Sequence, residues 1–251
     1  MEWEIVETCN FCGGGSATPY HEAELGAWCG RPLQLLRCDG CGLVRASPRP
    51  LIQSLHWRQI DGDISVIEPL KRSFSRSGVI ANHRRMVERV VEAAERPVRS
   101  LFDVGCGAGT LMMEAARLGI EAQGNDINAI AVDMLNDLGF RAHKAFTREL
   151  ALDGRKFDAV MLLNYLTRSY TPFDDLGVCR ELLHEDGVVC IHTPYLDCPQ
   201  HRAAGGAWSV FGNDNVHYFN PETLAAMIAA AGFRLVDEDR GGWMVILAAA
   251  C

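Results

Sequence analysis

Lysine is nearly missing from this chain: 3 residues, against 21 arginines, in 251. Alongside so much alanine the bias fits a GC-rich genome and carries no functional reading. Long apolar runs are missing too. None reaches the ~18 residues that a membrane-spanning helix needs, so no bilayer span is expected. The start Met1-Glu2-Trp3-Glu4 is acidic where a secretory leader would be basic and then apolar, so no leader is expected. The expected location is therefore a reducing cytoplasm. No internal repeat and no low-complexity tract appears. Hydrophobic residues at 48% and charged residues at 22% exclude disordered, collagen-like and coiled-coil chains. This length holds one large α/β domain, or a medium one with a small module.

Cysteine, by contrast, is abundant for a cytosolic protein, at ten residues. In that compartment metal ligands or buried thiols are expected rather than disulfides. Five cysteines fall in the first 41 residues. Cys9-x2-Cys12 and Cys38-x2-Cys41 form two pairs, each followed by glycine (Gly13, Gly42), which lets the backbone curl behind the sulfurs. Two such knuckles supply a closed shell of four thiolates, suited to structural Zn²⁺. Iron in a rubredoxin-like site would use the same ligands. Cys29 has no partner at metal spacing and reads as a buried thiol. The region has few apolar residues and is expected to need the metal as a staple.

Charge is unevenly spread over a net −8. Residues 1–41 carry −4, residues 42–99 carry +5 and residues 100–251 carry −9. After a proline-rich break at Ser47–Pro50, residues 51–98 read as mainly helical. In Ile80–Glu95 the apolar positions Met86, Val87, Val90, Val91 and Ala94 have helical spacing. From residue 99 strands and helices alternate. Strands are expected at Ser100–Val104, Glu121–Asp126, Phe140–Lys144, Phe157–Leu163 and Gly187–Thr193, with helices at Thr110–Leu118, Ala129–Leu138 and Asp174–Leu183. An irregular stretch follows at Pro194–Phe219. Then come a helix at Pro221–Ala231, capped by Asn220, and a hairpin of Phe233–Glu238 and Trp243–Ala249 around Gly241-Gly242. This order implies an α/β fold with a mostly parallel sheet and helices on both faces.

The run Asp103-Val104-Gly105-Cys106-Gly107-Ala108-Gly109-Thr110 follows a strand and opens a helix. Its glycines let a ligand approach the main chain. Asp126 ends the next strand, where an acid accepts both hydroxyl protons of a ribose. These features indicate a nucleoside-containing cofactor, NAD among the choices. The run resembles the first signature of class I S-adenosylmethionine-dependent methyltransferases, including an acid two residues before the first glycine. Gly124-Asn125-Asp126-Ile127 is similar to their second signature, and Phe157-Asp158-Ala159-Val160 to their fourth strand. Leu182–Val189 is similar to the approach to their fifth, with Glu185-Asp186 where Lys-Pro is usual. The resemblance covers about residues 99–250. It implies a Rossmann-like seven-stranded methyltransferase sheet, with Asp103 near the cationic methionine part of the cofactor and Asp126 on its ribose.

Some bacterial small-molecule and sugar methyltransferases of this class carry a four-cysteine zinc ribbon and a helical cap before the core. Their "E-H-x-x-Y-F-S-P-x-T-L" segment is similar to Asp214–Leu224 here, with Asn215 where they have histidine. The expected organisation is a zinc ribbon at 1–45, a helical cap or linker at 46–98 and a methyltransferase domain at 99–251. Cofactor contacts are expected from Asp103, Gly105, Cys106, Gly107, Gly109, Asp126, Ile127, Phe146 and Asn164. Cys106 serves there as a small filler.

Relatives often read "D-x-L-E-H" after the fourth strand. This chain reads Asn164-Tyr165-Leu166-Thr167-Arg168, so the acid–histidine pair is missing. His217, in the irregular stretch, is the first candidate for a general base, and His192, at a strand end, the second. Arg168 is a candidate to hold an anionic group, or is a solvated surface arginine. Trp57 and the cap could cover the cofactor. Arg72, Arg76, Arg84 and Arg85 either line that cap and favour an acidic substrate or form a solvated helix face. The expected activity is methylation of a small-molecule metabolite in a biosynthetic pathway. An RNA methyltransferase with a zinc module and a non-catalytic cofactor-binding scaffold are the rivals. The net charge and the acidic knob argue against nucleic acid as a partner.

Overall fold

In the computed structural model the described residues are 2–23, 33–52, 77–150, 153–212 and 214–250. Cys29, Trp57, Arg72 and Arg76 lie outside them. Short strands open the chain: β1 (Trp3–Glu4), β2 (Ala17–Ala23), β3 (Leu33–Cys38), β4 (Val44–Ala46) and β5 (Arg49–Pro50). β1 pairs with β5, and β2, β3 and β4 form an antiparallel ladder. In β3 the alternate residues Leu33 and Leu35 are buried, as one covered face requires.

Helix α1 (Ser77–Ala93) follows, then a regular alternation: β6 (Ser100–Val104), α2 (Thr110–Arg117), β7 (Glu121–Asp126), α3 (Ala129–Asp137), β8 (Arg141–Lys144), β9 (Phe157–Leu163), α4 (Pro172–Leu182) and β10 (Leu183–Thr193). The irregular stretch contains α5 (Pro199–Ala204) and a two-residue strand, β11 (His217–Tyr218). Helix α6 (Pro221–Ala230) and the hairpin β12 (Phe233–Arg240) and β13 (Met244–Ala250) complete the fold. The expected cap of α6 is present: Thr223 N–H donates to Asn220 Oδ1 at 2.7 Å, with Pro221 in the first turn.

The large sheet has seven strands in the order β12-β13-β10-β9-β6-β7-β8. β10, β9, β6, β7 and β8 run parallel, while β13 is antiparallel to both β10 and β12. The central strands are apolar on both faces, since Leu101, Phe102, Val160, Leu162, Val189 and Ile191 are all fully buried. β10 starts at Leu183, earlier than its apolar run suggests, because Leu183 pairs with Phe157 before a register shift to Val188.

Two apolar layers cover the sheet. On one face α1 and α2 bury Met86, Val90, Leu111 and Met112 against Leu101, Met161 and Leu247. Residues 77–93, expected within a cap, thus pack as part of this layer. The other face shares its core with the N-terminal strands: Leu33, Leu35, Leu43 and Val44 join Phe157, Leu162, Ile191 and Leu224. Strand pairing crosses the expected boundaries at residues 45 and 98. β11 joins the edge of the N-terminal sheet, with His217 opposite Arg45 and Tyr218 opposite Val44. A second tie lies beside it. Arg49 bonds Glu4 at 2.7 Å and lies over the Tyr170 ring, while the Tyr170 hydroxyl donates to Pro50 O at 2.7 Å. At the opposite edge Arg89 of α1 bridges Asp237 and Asp239 of β12 at 2.5 and 3.1 Å.

Gly124, mid-way along β7, has no room for a side chain. A Cβ there would lie 2.6 Å from Asp103 O and 2.8 Å from Cys106 Cβ. Gly124→Ala is therefore expected to cost about 1–3 kcal/mol through overpacking. Urea unfolding would check it, and an unchanged midpoint would contradict the close approach.

Candidate functional site

A cavity of about 1180 Å³ opens at the carboxyl ends of the parallel strands, where an open α/β sheet binds ligands. The turn from β6 into α2 forms its floor. Gly105, Gly107 and Gly109 have φ of +70°, +50° and +73°, a region costly for other residues. At Gly105 a Cβ would sit 2.8 Å from the Tyr165 ring, so that ring packs directly on the main chain. Asp126 is aimed by two backbone donors: Gly107 N–H to Oδ2 at 2.9 Å and Asn128 N–H to Oδ1 at 2.8 Å. Cys106 is buried against Gly124, and burial pushes its thiol up, which suits a filler and not a nucleophile.

Asp103 is 4% exposed and lines the same floor. Burial, and then the nearby Asp126 carboxylate, raise it to about 8. No donor among the described residues opposes that rise. No cation among the described residues acts on Asp103, whereas Arg168 acts on Asp126, so a cationic ligand group would complete the surroundings of Asp103. Ile127 and Phe146 add apolar wall, with the Arg148 guanidinium 5.2 Å from the Phe146 ring centre. Thr147, behind them, accepts from Asn125 at 3.2 Å. Acids for hydroxyls and a cation, apolar walls for a base, and glycines for close approach fit a nucleoside cofactor carrying a sulfonium.

The other end of the cavity gathers residues from β9, β10, α1 and the β12–β13 hairpin. Asn164, at φ +55°, donates its N–H to His192 O at 2.7 Å and so joins the ends of β9 and β10. The His192 ring stacks on Trp243 at 5.1 Å. Burial, then His83 and Arg85, lower His192 to about 4, which keeps it neutral near pH 7. His83, also on the wall, is lowered by burial, with Glu114 opposing. Sequence reasoning passed over His83. Its signal was spacing: Val79, His83 and Met86 stand three and four residues apart on one face of α1, and all line the cavity. Arg168 is solvent-exposed, but into the cavity. Desolvation of the guanidinium within the cavity lowers its pKa, while Asp214 and then Asp126 oppose that. Of the expected cap arginines, Arg85 lines the cavity and Arg84 bonds Glu114 of α2 at 2.8 Å.

His217, the first candidate base, stands elsewhere. It is fully buried in β11 and does not line the cavity. Its Nδ1 lies 2.8 Å from Ser169 O and its Nε2 3.1 Å from the Asn10 carboxamide, so both ring nitrogens are engaged. Burial, then Arg49, lower it to about 3. A ring without a free nitrogen or access to the cavity cannot take a proton from a ligand there. Asn215, at the position where the similar segment has histidine, is also buried and donates to Val210 O at 2.8 Å.

The four cysteines do converge. Sγ atoms of Cys9, Cys12, Cys38 and Cys41 all lie within 4.8 Å of one another, with Cys9–Cys41 and Cys12–Cys38 at 3.5 Å. Zn–S bonds of ~2.3 Å in a tetrahedron imply S···S edges of about 3.8 Å, so the set fits. Both knuckles use the same turn: Gly13 N–H donates to Cys9 O and Gly42 N–H to Cys38 O, with φ of +72° and +78°.

The model of a family described as methyltransferase domain matches residues 79–238. A ubiquinone biosynthesis O-methyltransferase of Cereibacter sphaeroides is 29% identical over 151 residues, which are 55% of this chain and 61% of that protein. The chain thus spans about three fifths of that relative's length. A protein of the same name from Azorhizobium caulinodans is 24% identical over 241 residues, 85% of this chain and 88% of its own. Among solved structures, a Burkholderia thailandensis 1,6-didemethyltoxoflavin-N1-methyltransferase with bound 1,6-didemethyltoxoflavin and S-adenosylhomocysteine superposes with a TM-score of 0.60. It is 16% identical and covers 92% of this chain and 98% of that one. At that identity the likeness concerns the fold alone. Among the described residues no helix is long and apolar enough to cross a membrane.

The raised Asp103 gives a signed prediction for the ligand-free protein. An unfolded carboxyl titrates near ~3.9, so between about pH 4 and 8 the folded chain holds a proton that the unfolded chain lacks. Wild-type stability therefore falls as pH rises through about 8. Asp103→Asn removes this loss, and its melting temperature should gain on wild type from pH 5 to pH 8.5. A gap that does not change with pH would refute the burial effect.

Proposed function

The chain belongs to the methyltransferase domain family, and from that premise we propose that it transfers a methyl group from S-adenosylmethionine to a small molecule held in the cavity. The observation that carries this reading is Asp103, buried near the end of β6 beside Asp126, with no cation among the described residues acting on it. The cofactor supplies a methyl group already activated on a sulfonium. The chain's task is then to bind, orient and exclude water. Asp126 accepts hydroxyl protons of the ribose and Asp103 faces the cationic portion. Gly105, Cys106 and Gly107 admit the ligand against the main chain, whereas Gly109, also expected there, lies off the cavity and packs against Leu135 of α3. Ile127 and Phe146 flank the base, and Asn164 borders the cofactor where β9 meets β10.

At the far end His192, neutral and stacked on Trp243, can accept the proton that an oxygen or nitrogen acceptor loses. Arg168 offers a guanidinium to an anionic group on the acceptor. The two relatives' printed names favour an oxygen acceptor. The four cysteines hold structural zinc, and a filled thiolate shell leaves no open position for catalysis. In this reading residues 1–45 are a zinc ribbon, 46–98 a helical cap or linker whose residues 77–93 pack on the sheet, and 99–251 the methyltransferase domain.

Calorimetry with S-adenosylhomocysteine tests the cofactor site. Wild type is expected to bind one equivalent, and Asp126→Ala to weaken binding at least about tenfold, the ~1.4 kcal/mol that a charged hydrogen bond carries. Affinity for S-adenosylmethionine should rise from pH 6 to pH 8, because the ligand's cation favours ionised Asp103. No binding by wild type would end the proposal. For the metal, protein purified without added ions should hold about one equivalent of zinc and lose thermal stability on chelation. Less than about half an equivalent of zinc or iron would count against the site.

A further inference from the structure

Between β9 and α4, residues 164–171 have neither helix nor strand of their own, yet they build one wall of the cavity. Their anchors come from β11. Val216 N–H and His217 N–H both donate to Thr167 O, at 2.7 and 3.0 Å. Ser169 O, two residues on, lies 2.8 Å from His217 Nδ1. A carbonyl only accepts, so Nδ1 carries the proton. Nε2 of the neutral ring is then an acceptor; Asn10 Oδ1 is placed 3.1 Å from it, and assigning the amide from the hydrogen-bond network exchanges that oxygen for the NH₂, which donates to Nε2.

Asn10 sits between Cys9 and Cys12. A second contact runs beside it, Phe11 against Phe173 at 5.3 Å, in the first turn of α4. On the cavity side the line continues. Ser169 Oγ donates to Asp175 Oδ2 at 2.5 Å, the Tyr165 hydroxyl lies 2.8 Å from the same oxygen, and the Tyr165 ring rests on Gly105. Contacts thus run from the four-cysteine knuckle to the glycine turn, and Arg168 lies between the two anchored residues Thr167 and Ser169.

We propose that His217 is a positioning residue, which sets the cavity wall Tyr165–Ser169 from the Cys9–Cys12 knuckle, so that metal occupancy of the knuckle tunes ligand binding in the cavity. The proposal rests on the cofactor reading above. His217 takes no part in proton transfer. Its two ring nitrogens transmit the place of the knuckle to a segment with no regular structure. By linkage the effect is reciprocal: if bound zinc tightens cofactor binding, bound cofactor must retain zinc by the same factor.

The test uses zinc-loaded full chain, with S-adenosylhomocysteine as probe and metal content measured in parallel. His217→Leu, which cannot bond either partner, should keep its zinc and bind the probe about tenfold more weakly, within the usual range of couplings between sites. His217→Asn, whose amide N–H can still reach Ser169 O, should recover most of that loss, which a purely space-filling role would not restore. In wild type, saturating probe should slow zinc loss to a chelator about fivefold, and in His217→Leu it should not. Zinc-replete His217→Leu with wild-type affinity overturns the proposal. If that variant does not fold, Asn10→Ala decides: about threefold weaker binding supports the coupling and unchanged binding overturns it. A wild type that fails to bind the probe overturns the cofactor reading and this one together, whereas intact wild-type binding with unaffected variants overturns this one alone.

Discussion

Two backbone pairings, His217 with Arg45 and Tyr218 with Val44, hold the first fifty residues against the far end of the chain. The N-terminal strands are short, and their inward face is completed by Phe157, Leu162, Ile191 and Leu224 from the large domain. A segment of that size buries too little surface to stand alone. β11 supplies the missing edge and brings its own anchors, since the Tyr218 hydroxyl donates to Asn215 O and accepts from Gly212 N–H. Because β11 also grips Thr167, the same short strand fixes the small sheet and one wall of the cavity.

The cavity is divided by charge. Beside the glycine turn two acids lie close together, Arg168 acts on Asp126 but no cation among the described residues acts on Asp103, and burial keeps Asp103 protonated near neutral pH. At the opposite end two histidines are held neutral by burial, in the company of arginines. Acids that want a cation at one end and uncharged proton acceptors at the other make a polarised site. That polarity suits a cationic donor meeting an acceptor that sheds a proton, with little to be done by the fold beyond alignment.

Much of this was legible because it is local. The strands β6, β7 and β9 are apolar runs, the glycines at 105, 107 and 109 mark a turn with one feasible backbone, and Asn220-Pro221 announces a helix start. The knuckles were legible for the same reason, as each repeats one turn. What escaped reading is long-range. A strand of two residues has no period to detect, and its partners lie more than 170 positions away. His217 therefore looked like a loop histidine free to act on a ligand, whereas burial and two hydrogen bonds make it part of the frame. His83 was missed for the converse reason. It sits in an ordinary amphipathic helix, and only the packing of α1 on the sheet decides that this face meets the cavity.

The bridge from Arg89 to Asp237 and Asp239 reaches solvent, with both carboxylates more than half exposed. It fastens α1 to the hairpin that carries Trp243. Ion pairs of this kind weaken as ions screen them, over a Debye length of about 8 Å at physiological strength. Rising salt is therefore expected to loosen the hold of α1 on that hairpin, while the buried carboxyls of Asp103 and Asp126 are screened far less. One wall of the chamber thus rests on a contact sensitive to salt, and its floor on a carboxyl sensitive to protons.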